Sequence, residues 1–559
     1  MKTDTGTPSS KSLALLCAAL LLLAAVLSTK TPGSDARDGD ASQSRKTAGT
    51  ILQLQIVDEA TRKPTAARFS LIVDAEEFVP ETLSDHGLTF TSVHESKKQI
   101  AELTYARGSG LVELALPADA KKVAVRVAKG FEYLPVTETR QVDGETLRVD
   151  VSLRRWNDLA KQGWVATDAH VHYDRADRSG DRDWLTMLAG DDLQQAHFMV
   201  LKGGKVPGLW ARQYAYGKAG EAFDGQRLIR SGEEYRDSAQ GHINLLGLKQ
   251  VIQPISTGGL GKPPVHVNYP PLADVFRKSR ELGGFGGVAH GGSLGREPTA
   301  VLDVVLETVD FFEITNAHLY SLDLWYRLMN CGYAIPPAGG TDLPNFPYRD
   351  AWQPFLGSMR MYVQTGGGRD FDSWTEGVRA GKVFVTSGPL LSFSVDKAGP
   401  GGTIRLPPGG GEVSIAAEIA SPVGLKNLEV VQNGKPLRLP MGRTLAEGVQ
   451  QWTAIGKVRV TKSCWLAARG RGVPIAAMEA SIEKTQPWVE TDAVAHTGAV
   501  RVIVGGKPIR SAAETAYLVK LLKRQLEYYR TKGRYDRGKD RLRVLELFER
   551  GIAELEKRG

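Results

Sequence analysis

The sequence predicts an α/β region between two strand-rich domains, followed by a helical tail. Short alternating runs such as ILQLQIV and KKVAVRVA fill residues 50–155 and are typical of a small antiparallel sandwich. Residues 156–390 alternate brief apolar strands with helical stretches, a pattern that favours a parallel sheet or barrel. Strands return in residues 391–510, and residues 511–559 carry leucines at helical spacing. We therefore expect a second sandwich and then a pair of helices after the α/β region.

Length and charge set the broad class of the protein. The chain has 559 residues, of which 42% are hydrophobic and 24% charged, so it is too long for one core and too apolar for a disordered polymer. The formal net charge of +8 is mild for this length, and no long basic run underlies it. Charge therefore gives no indication of a nucleic-acid partner, and we expect a small-molecule substrate.

The first 49 residues predict export. Lys2 and Lys11 precede an unbroken apolar run at residues 13–27, which has the order of a secretory signal and is short for a membrane-spanning helix. No convincing cleavage motif follows, so an uncleaved N-terminal anchor is the alternative. Residues 28–49 are polar and aperiodic, which is typical of a flexible linker. We predict a periplasmic or extracellular protein whose membrane contact is limited to this segment.

The cysteine and histidine counts indicate the kind of metal site to expect. Cys17, Cys331 and Cys464 are too few for a disulfide framework and exclude a thiolate-bound metal. Histidines, in contrast, are concentrated in the α/β region, at positions His170, His172, His197, His242, His266, His290 and His318. Imidazole and carboxylate are therefore the expected ligands.

The strongest motif is the pair His170 and His172 in the segment DAHVHYD, which follows the apolar run GWVAT. On a strand, residues i and i+2 project from the same face, so both imidazoles can reach one ion. Asp168 and Asp174 lie close by in the sequence. Two half-buried strand histidines are the alternative interpretation of an isolated His-x-His pair.

Three further strand ends carry residues of the same kind. Glu233 and Glu234 lie in SGEEY, and His242 opens the next strand, GHINLLG. His290 follows the small-residue strand GGVA, whose glycines leave space around its ring. Asp342 ends the segment GGTD, and the active groups of strand-helix barrels gather at such strand ends. Each residue alone could be a packing or turn residue, but four such strand ends favour one shared metal site.

The order of these motifs resembles the PHP (polymerase and histidinol phosphatase) metallohydrolase superfamily. More narrowly, it resembles the CehA/McbA branch, which is named for carbaryl hydrolases. The likeness rests on His-x-His, Gly-x-Glu with Gly-His-x-Asn-Leu-Leu, Ala-His-Gly, Asn-Cys-Gly and Gly-Thr-Asp, in that order. The flanking runs LRRWNDLAKQGWVATDAHVH and RAGKVFVTSGP extend the likeness to about residues 147–394.

The resemblance implies a distorted (β/α)7-type barrel that binds one to three divalent ions. Glu234 fits the Gly-x-Glu spacing better than Glu233 does. Ligands of this type suit zinc best, with manganese or iron as alternatives, because imidazole is a softer donor than magnesium or calcium prefers. The matching ligand positions are His170, His172, Glu234, His242, His290 and Asp342.

One departure from the superfamily concerns the last ligand. Many members end in Asp-x-His, whereas Asp342 is followed by Leu343 and Pro344. A ligand is therefore missing, and a full three-metal site is in doubt. His197 and Asp174 are the candidate replacements, although His197 also fits a core position in QQAHFMVL.

The leading functional interpretation is a metal-dependent hydrolase that uses metal-activated water on an ester, carbamate or amide bond. A zinc-bound water has a pKa near 7, so no serine or cysteine nucleophile is required. His318 and Glu233, which are not among the expected ligands, are the candidates for proton transfer to the leaving group. Aromatic residues around the site, such as Trp210 and Tyr214, favour an uncharged organic substrate.

Two alternatives remain open. A phosphoesterase with the same metal site would use basic residues as clamps, and the candidates are Lys202, Lys205, Arg212 and Arg349. The missing final histidine instead supports an exported binding or scaffold protein with a degenerate barrel. Metal analysis and chelator-sensitive activity separate the three interpretations.

Overall fold

The computed structural model describes most of the chain from Gly49 onward. The described residues are 49–93, 99–203, 206–237, 239–254, 267–292, 297–316, 319–344, 355–473 and 492–558. They belong to one compact unit that begins at Gly49. The predicted export segment and nearly all of the predicted linker lie outside the described residues.

The first part of the described chain consists of strands in two sheets. Its strands are β1 Ile51–Asp58, β2 Ala66–Val73, β3 Glu76–Phe78, β4 Gly87–Val93, β5 Gln99–Arg107, β6 Val112–Ala115, β7 Lys122–Ala128, β8 Val136–Gln141 and β9 Thr146–Leu153. One sheet has the order β6-β1-β9, and the other has the order β4-β5-β2-β7-β8. Leu52 and Leu54 of β1 alternate with more exposed residues and share one core with Phe69 and Leu71 of β2. The two sheets therefore pack their apolar faces together.

The central part alternates strands and helices. Its strands are β10 Trp164–Val171, β11 Gln195–Gly203, β12 Val206–Trp210, β13 Ala222–Phe223, β14 Leu228–Asp237, β15 Gly241–Leu246, β16 Phe285–Val288, β17 Phe311–Asn316, β18 Leu319–Tyr320, β19 Pro337–Gly340, β20 Arg360–Gln364 and β21 Val383–Thr386. Its helices are α1 Asp181–Gly190, α2 Leu272–Glu281, α3 Ala300–Val305, α4 Asp323–Asn330 and α5 Phe371–Arg379. Helix α5 begins where the Asp370 side chain accepts the backbone N–H of Ser373.

The pairing of the central strands determines where their ends lie. The β10/β11, β11/β14, β16/β17 and β17/β19 pairs are parallel, whereas β14/β15, β15/β16 and β10/β20 are antiparallel. An isolated bridge between Val171 and Leu343 links the segment after β19 to β10. The ladders of the described residues do not close, so the predicted closed barrel is not confirmed. One departure from the expected parallel barrel is the antiparallel pair β14/β15. The connection between these two strands is short, and strands joined this closely pair antiparallel.

The last part contains two more layers of strands and two long helices. Its elements are β22 Leu390–Val395, β23 Thr403–Leu406, β24 Gly411–Ser421, β25 Leu425–Gln432, β26 Lys435–Pro436, β27 Met441–Ala446, β28 Val449–Val460, β29 Cys464–Gly472, β30 Ala493–Thr497, β31 Val500–Val504, α6 Ala512–Thr531 and α7 Gly538–Arg558. The sheet β22-β24-β28-β27 shares a core with β25 and β29. Strand β30 pairs with β21, so the central sheet continues into this part. A separate flanking sandwich is therefore not confirmed, and the predicted domain boundaries stay predictions.

Helices α6 and α7 pack on the central part. Ser511 caps α6 by accepting the backbone N–H of Glu514, and the buried Leu518, Leu522 and Leu526 follow four residues apart on one face. These leucines join the same core as the residues of α3 and α4. None of the helices in the described residues combines the length and the apolar character needed to span a membrane.

Candidate metal centre

The six residues expected to bind metal come together at one end of the central strands. His170 and His172 lie at the end of β10, and Glu234 lies near the end of β14. His242 opens β15, where antiparallel pairing brings it beside the end of β14. The other two, His290 and Asp342, follow β16 and β19. All six residues are at most 6% exposed.

The first group of ligand atoms surrounds one oxygen of Asp342. Nε2 of His170 and Nε2 of His172 are 3.0 Å apart. Oδ1 of Asp342 lies 3.3 Å from His170 Nε2 and 3.2 Å from His172 Nε2. Oε2 of Glu234 lies 3.2 Å from His172 Nε2. These four residues could hold a metal ion.

A second group uses the other oxygens of the same two carboxylates. Oε1 of Glu234 lies 3.3 Å from Nδ1 of His242 and 3.4 Å from Nε2 of His290. Oδ2 of Asp342 lies 3.3 Å from the same His290 nitrogen. Glu234, His242 and His290 could also hold an ion. Both carboxylates thus have one oxygen in each group.

The separations between these atoms suit a shared ion. Nitrogen and oxygen ligands about 2.1 Å from a zinc-like ion are about 3.0–3.4 Å apart at octahedral or tetrahedral angles. Oε1 of Glu234, Nδ1 of His242 and Nε2 of His290 are buried and have no hydrogen-bond partner among the described residues. Buried polar atoms of this kind are costly unless a ligand engages them.

The tautomers of three rings point to the same conclusion. Nδ1 of each ring faces an oxygen that only accepts hydrogen bonds: His172 the carbonyl of Met199 (2.8 Å), His170 the carboxylate of Glu313 (3.0 Å) and His290 that of Glu297 (3.0 Å). Nδ1 therefore carries the proton in the neutral rings of His172 and His290, and the Glu313 carboxylate favours the same tautomer in His170, so that each Nε2 lone pair faces the cluster. Each of these Nε2 lone pairs is surrounded by carboxylate oxygens and by the lone pairs of other ligand atoms, which repel it. A cation removes this repulsion, so the residues fit a divalent metal ion.

The pKa values show how strongly the cluster attracts positive charge. Burial lowers the pKa of His172, but the neighbouring carboxylates of Asp342 and Glu234 favour its protonated form more strongly and raise that pKa to about 9. Burial raises the pKa of Glu234, yet the neighbouring Arg236 and the histidines hold it well below its usual range. The pKa of Asp342 is lowered well below its usual range by the surrounding histidines despite its burial. Both carboxylates therefore stay ionised.

Two of the ligand residues have a backbone conformation that costs free energy. His290 has φ +53° and Asp342 has φ +56°, in the left-handed region that residues other than glycine rarely adopt. Such a residue costs on the order of 1–3 kcal/mol, so hydrogen bonds must hold it. The N–H of Asp342 donates to the carbonyl of His170 (2.7 Å), and the N–H of His290 donates to Glu313 (2.7 Å).

Asp168 fixes the strand that carries the two histidines of β10. Its carboxylate accepts the backbone N–H groups of His170, Thr341 and Gly357 and the Thr341 hydroxyl. Burial nevertheless raises the pKa of Asp168 to about 6. A Cβ at Gly340 would lie 2.5 Å from Cβ of His170, so only glycine allows β19 to approach β10 here. Asp168 thus positions ligands without being one.

Other predicted site residues lie apart from the cluster. Glu233 points to the opposite side of β14, where it accepts the backbone N–H of Ile252 (2.8 Å). Asp174 accepts the backbone N–H of Arg212 (2.6 Å). The ring of His197 lies against Trp374, with centroids 4.8 Å apart, and burial lowers its pKa to about 3. The remaining candidate, the proton-transfer residue His318, lies outside the described residues.

Three charged residues of the site were not assigned from the sequence. Arg236 donates from Nε to Oε2 of Glu234 over 2.7 Å, and it is 3% exposed. The other two, Glu313 and Glu297, accept from ligand histidines, as described above. A sequence signal existed for Glu313, because an acidic residue inside the apolar run DFFEIT needs a buried partner. Glu297 follows a glycine-rich segment and has no comparable signal.

Comparisons with known proteins add little to this geometry. No family model matches the chain, and no curated protein matches it. The crystal structure of PsfC from Pseudomonas syringae PB-5123 is 14% identical over 37% of this chain and 84% of that chain, with a TM-score of 0.24. The lesion-specific endonuclease PfuEndoQ from Pyrococcus furiosus is 15% identical over 39% of this chain and 56% of that chain, also with a TM-score of 0.24. At these TM-scores neither similarity carries an argument about fold or function.

Proposed function

We propose that the protein is a metal-dependent hydrolase that cleaves an ester, carbamate or amide bond with activated water. The observation that carries this proposal is the buried cluster in which imidazole lone pairs and two ionised carboxylates converge. A divalent ion held by these residues would supply a water of lowered pKa, about 7 for zinc, and a Lewis acid for the scissile carbonyl oxygen. We favour two ions, because Glu234 and Asp342 each have one oxygen in each group of ligands.

The residues around the cluster have distinct roles in this proposal. His170 and His172 would hold one ion, and His242 and His290 would hold the other. Arg236 keeps Glu234 ionised and orients its carboxylate through the short hydrogen bond to Oε2. Burial of the ligands excludes bulk water and strengthens these interactions.

The substrate is proposed to be an uncharged organic molecule. The ring of Trp210 lies 5.7 Å from the ring of His172, measured between centroids, and gives the site an apolar wall on that side. The resemblance of the motif order to the CehA/McbA branch of the PHP superfamily supports the same class of reaction, the barrel and the preference for zinc over manganese or iron. The N-terminal sequence supports export. His318 remains the proposed group for proton transfer to the leaving group.

One observation favours a second candidate, the hydrolysis of a phosphate ester. The guanidinium of Arg236 brings a fixed positive charge to the edge of the cluster, and cationic groups of this kind stabilise phosphoryl transfer. Nε and one terminal nitrogen of Arg236 each lie 2.7 Å from Oε2 of Glu234, so this charge already balances a ligand carboxylate, which is the reason we rank this candidate second.

The test begins with the metal content of the purified full chain, measured by mass spectrometry. Turnover is then measured on 4-nitrophenyl ester, carbamate and phosphate substrates, before and after treatment with a chelator and after return of Zn²⁺, Mn²⁺ or Fe²⁺. Ester or carbamate turnover that the chelator abolishes and the metal restores supports the proposal. Turnover of phosphate alone supports the second candidate. Absence of both metal and turnover overturns both and favours the exported binding protein.

A further inference from the structure

Glu313 contacts ligand residues of both groups of the cluster. It lies in the middle of β17 and is 1% exposed. Oε1 lies 3.0 Å from Nδ1 of His170, and Oε2 accepts the backbone N–H of His290 over 2.7 Å. His170 belongs to the first group of ligand atoms and His290 to the second. A single carboxylate therefore joins the two halves of the site.

The two contacts of Glu313 act on different properties of the ligands. Accepting the Nδ1–H of His170 fixes the tautomer in which Nε2 faces the cluster, and the negative charge makes that nitrogen a stronger donor to a metal. Accepting the N–H of His290 holds a backbone with φ +53° that would otherwise relax. The amide nitrogens of Asn244 and Asn316 also lie 3.0 and 3.2 Å from Nδ1 of His170. An amide N–H only donates, so Glu313 is the group among these three that favours the proton on Nδ1.

We propose that Glu313 is a positioning residue that couples the two metal-binding groups, so that its loss weakens both. This inference rests on the metal centre of the proposed function but not on the hydrolytic reaction. It requires that the same carboxylate orients the ring of His170 and holds the backbone of His290.

Glu297 offers a matched comparison. Its carboxylate lies 3.0 Å from Nδ1 of His290, and it is 1% exposed, like Glu313. This contact is to His290, which belongs to the second group. Loss of Glu297 should therefore weaken the binding of one ion and leave the affinity for the other ion as in the wild type.

Asp303 provides a control for the loss of a buried carboxylate elsewhere. It lies on α3, is 1% exposed and accepts the Thr299 hydroxyl over 2.9 Å. Among the described residues, the hydrogen bond of its side chain is to Thr299, which is not a ligand residue. The variant Asp303→Asn should bind metal as the wild type does.

The experiment is a Co²⁺ titration of the metal-free full chain, followed by the visible absorption of the bound ion, which reports ligand number and geometry. We expect Glu313→Ala to weaken both binding steps by about 10–100-fold, the usual cost of losing an outer partner of a metal ligand, and to change both spectra. Glu297→Ala should weaken one step and change one spectrum. If Glu313→Ala does not fold, Glu313→Gln is used. It removes the negative charge that serves both contacts, so it should weaken both steps, by less than Glu313→Ala, and weakening of a single step would overturn the inference.

The outcomes separate the inference from the proposed function. Wild-type affinities and spectra in both Glu313 variants overturn the inference while the metal centre stands. A change confined to one binding step in Glu313→Ala also overturns it, because coupling requires both. A wild-type chain that binds no Co²⁺ overturns the inference together with the metal centre. Co²⁺ binding with the expected pattern but no turnover on any substrate supports the inference and contradicts the hydrolase.

Discussion

The two sides of strand β14 face different environments, and each of two adjacent glutamates lies in one of them. Glu234 faces the candidate metal-binding cluster, with Arg236 and the paired residues His242 and Asn244 on the same side. Glu233 faces the other side, where Tyr235 packs in a core that includes residues of α2. Both glutamates are at most 2% exposed, so burial does not distinguish them.

The charged neighbours of the two glutamates differ, and their pKa values differ accordingly. Arg236 and the histidines hold the pKa of Glu234 well below its usual range. Glu233 has one backbone hydrogen bond, from Ile252, and burial raises its pKa to about 8. An acidic residue in a buried strand is therefore not by itself a sign of a metal site, and the groups on its side of the strand decide its role.

The largest expected effect is the difference in metal affinity between two variants, in each of which one of these glutamates is replaced by glutamine. Glu234→Gln removes an ionised carboxylate shared by both ligand groups, so metal binding should weaken by well over the roughly 100-fold that loss of an outer partner costs. Glu233→Gln should keep the wild-type metal content. Metal content after dialysis against a metal buffer measures both. Equal losses of metal in the two variants would contradict the conclusion that Glu234 and Glu233 face opposite sides of β14.

A smaller effect is expected in the pH dependence of stability. The folded pKa of Glu233, about 8, lies above its ordinary value of 4.5, so the unfolded chain releases this proton first. The wild type should therefore lose stability as pH rises from about 5 to 8, by about 3 kcal/mol relative to Glu233→Gln. Denaturant unfolding at both pH values, with chelator present in every sample, measures the difference. Parallel pH profiles would show that Glu233 is ionised in the folded chain.

The smallest effect concerns a buried histidine outside the cluster. His197 has a folded pKa of about 3, below its ordinary value of 6.5, because burial among aromatic rings disfavours its charged form. Stability should fall as pH drops below about 6.5, since the unfolded chain takes up the proton. By pH 5 this loss should be about 2 kcal/mol, and His197→Leu should remove it. Unfolding of the two proteins at pH 8 and pH 5 checks this, and loss of metal from His197→Leu would contradict its placement in the core.

Much of the candidate site could be anticipated from strand geometry. The two-residue period of a strand predicts that His170 and His172 share a face, and parallel strands bring their ends to one edge. The structure brings these histidines together with Glu234 and Asp342. Sequence spacing could not assign Glu313, because its two partners are 143 and 23 residues away and become neighbours only when the strands pair.

The order of amino acids is enough to identify the donor atoms: it shows which strands end in imidazole or carboxylate, and that thiolates are absent from that set. It also determined the local periodicity that makes β1 or α6 bury one face. Tertiary structure alone decided the side of β14 that faces the cluster, the antiparallel pairing that brings His242 beside Glu234, and the left-handed backbone of His290 and Asp342. These features depend on contacts between segments that are distant in the sequence. The free energy of such contacts cannot be read from a local sequence pattern.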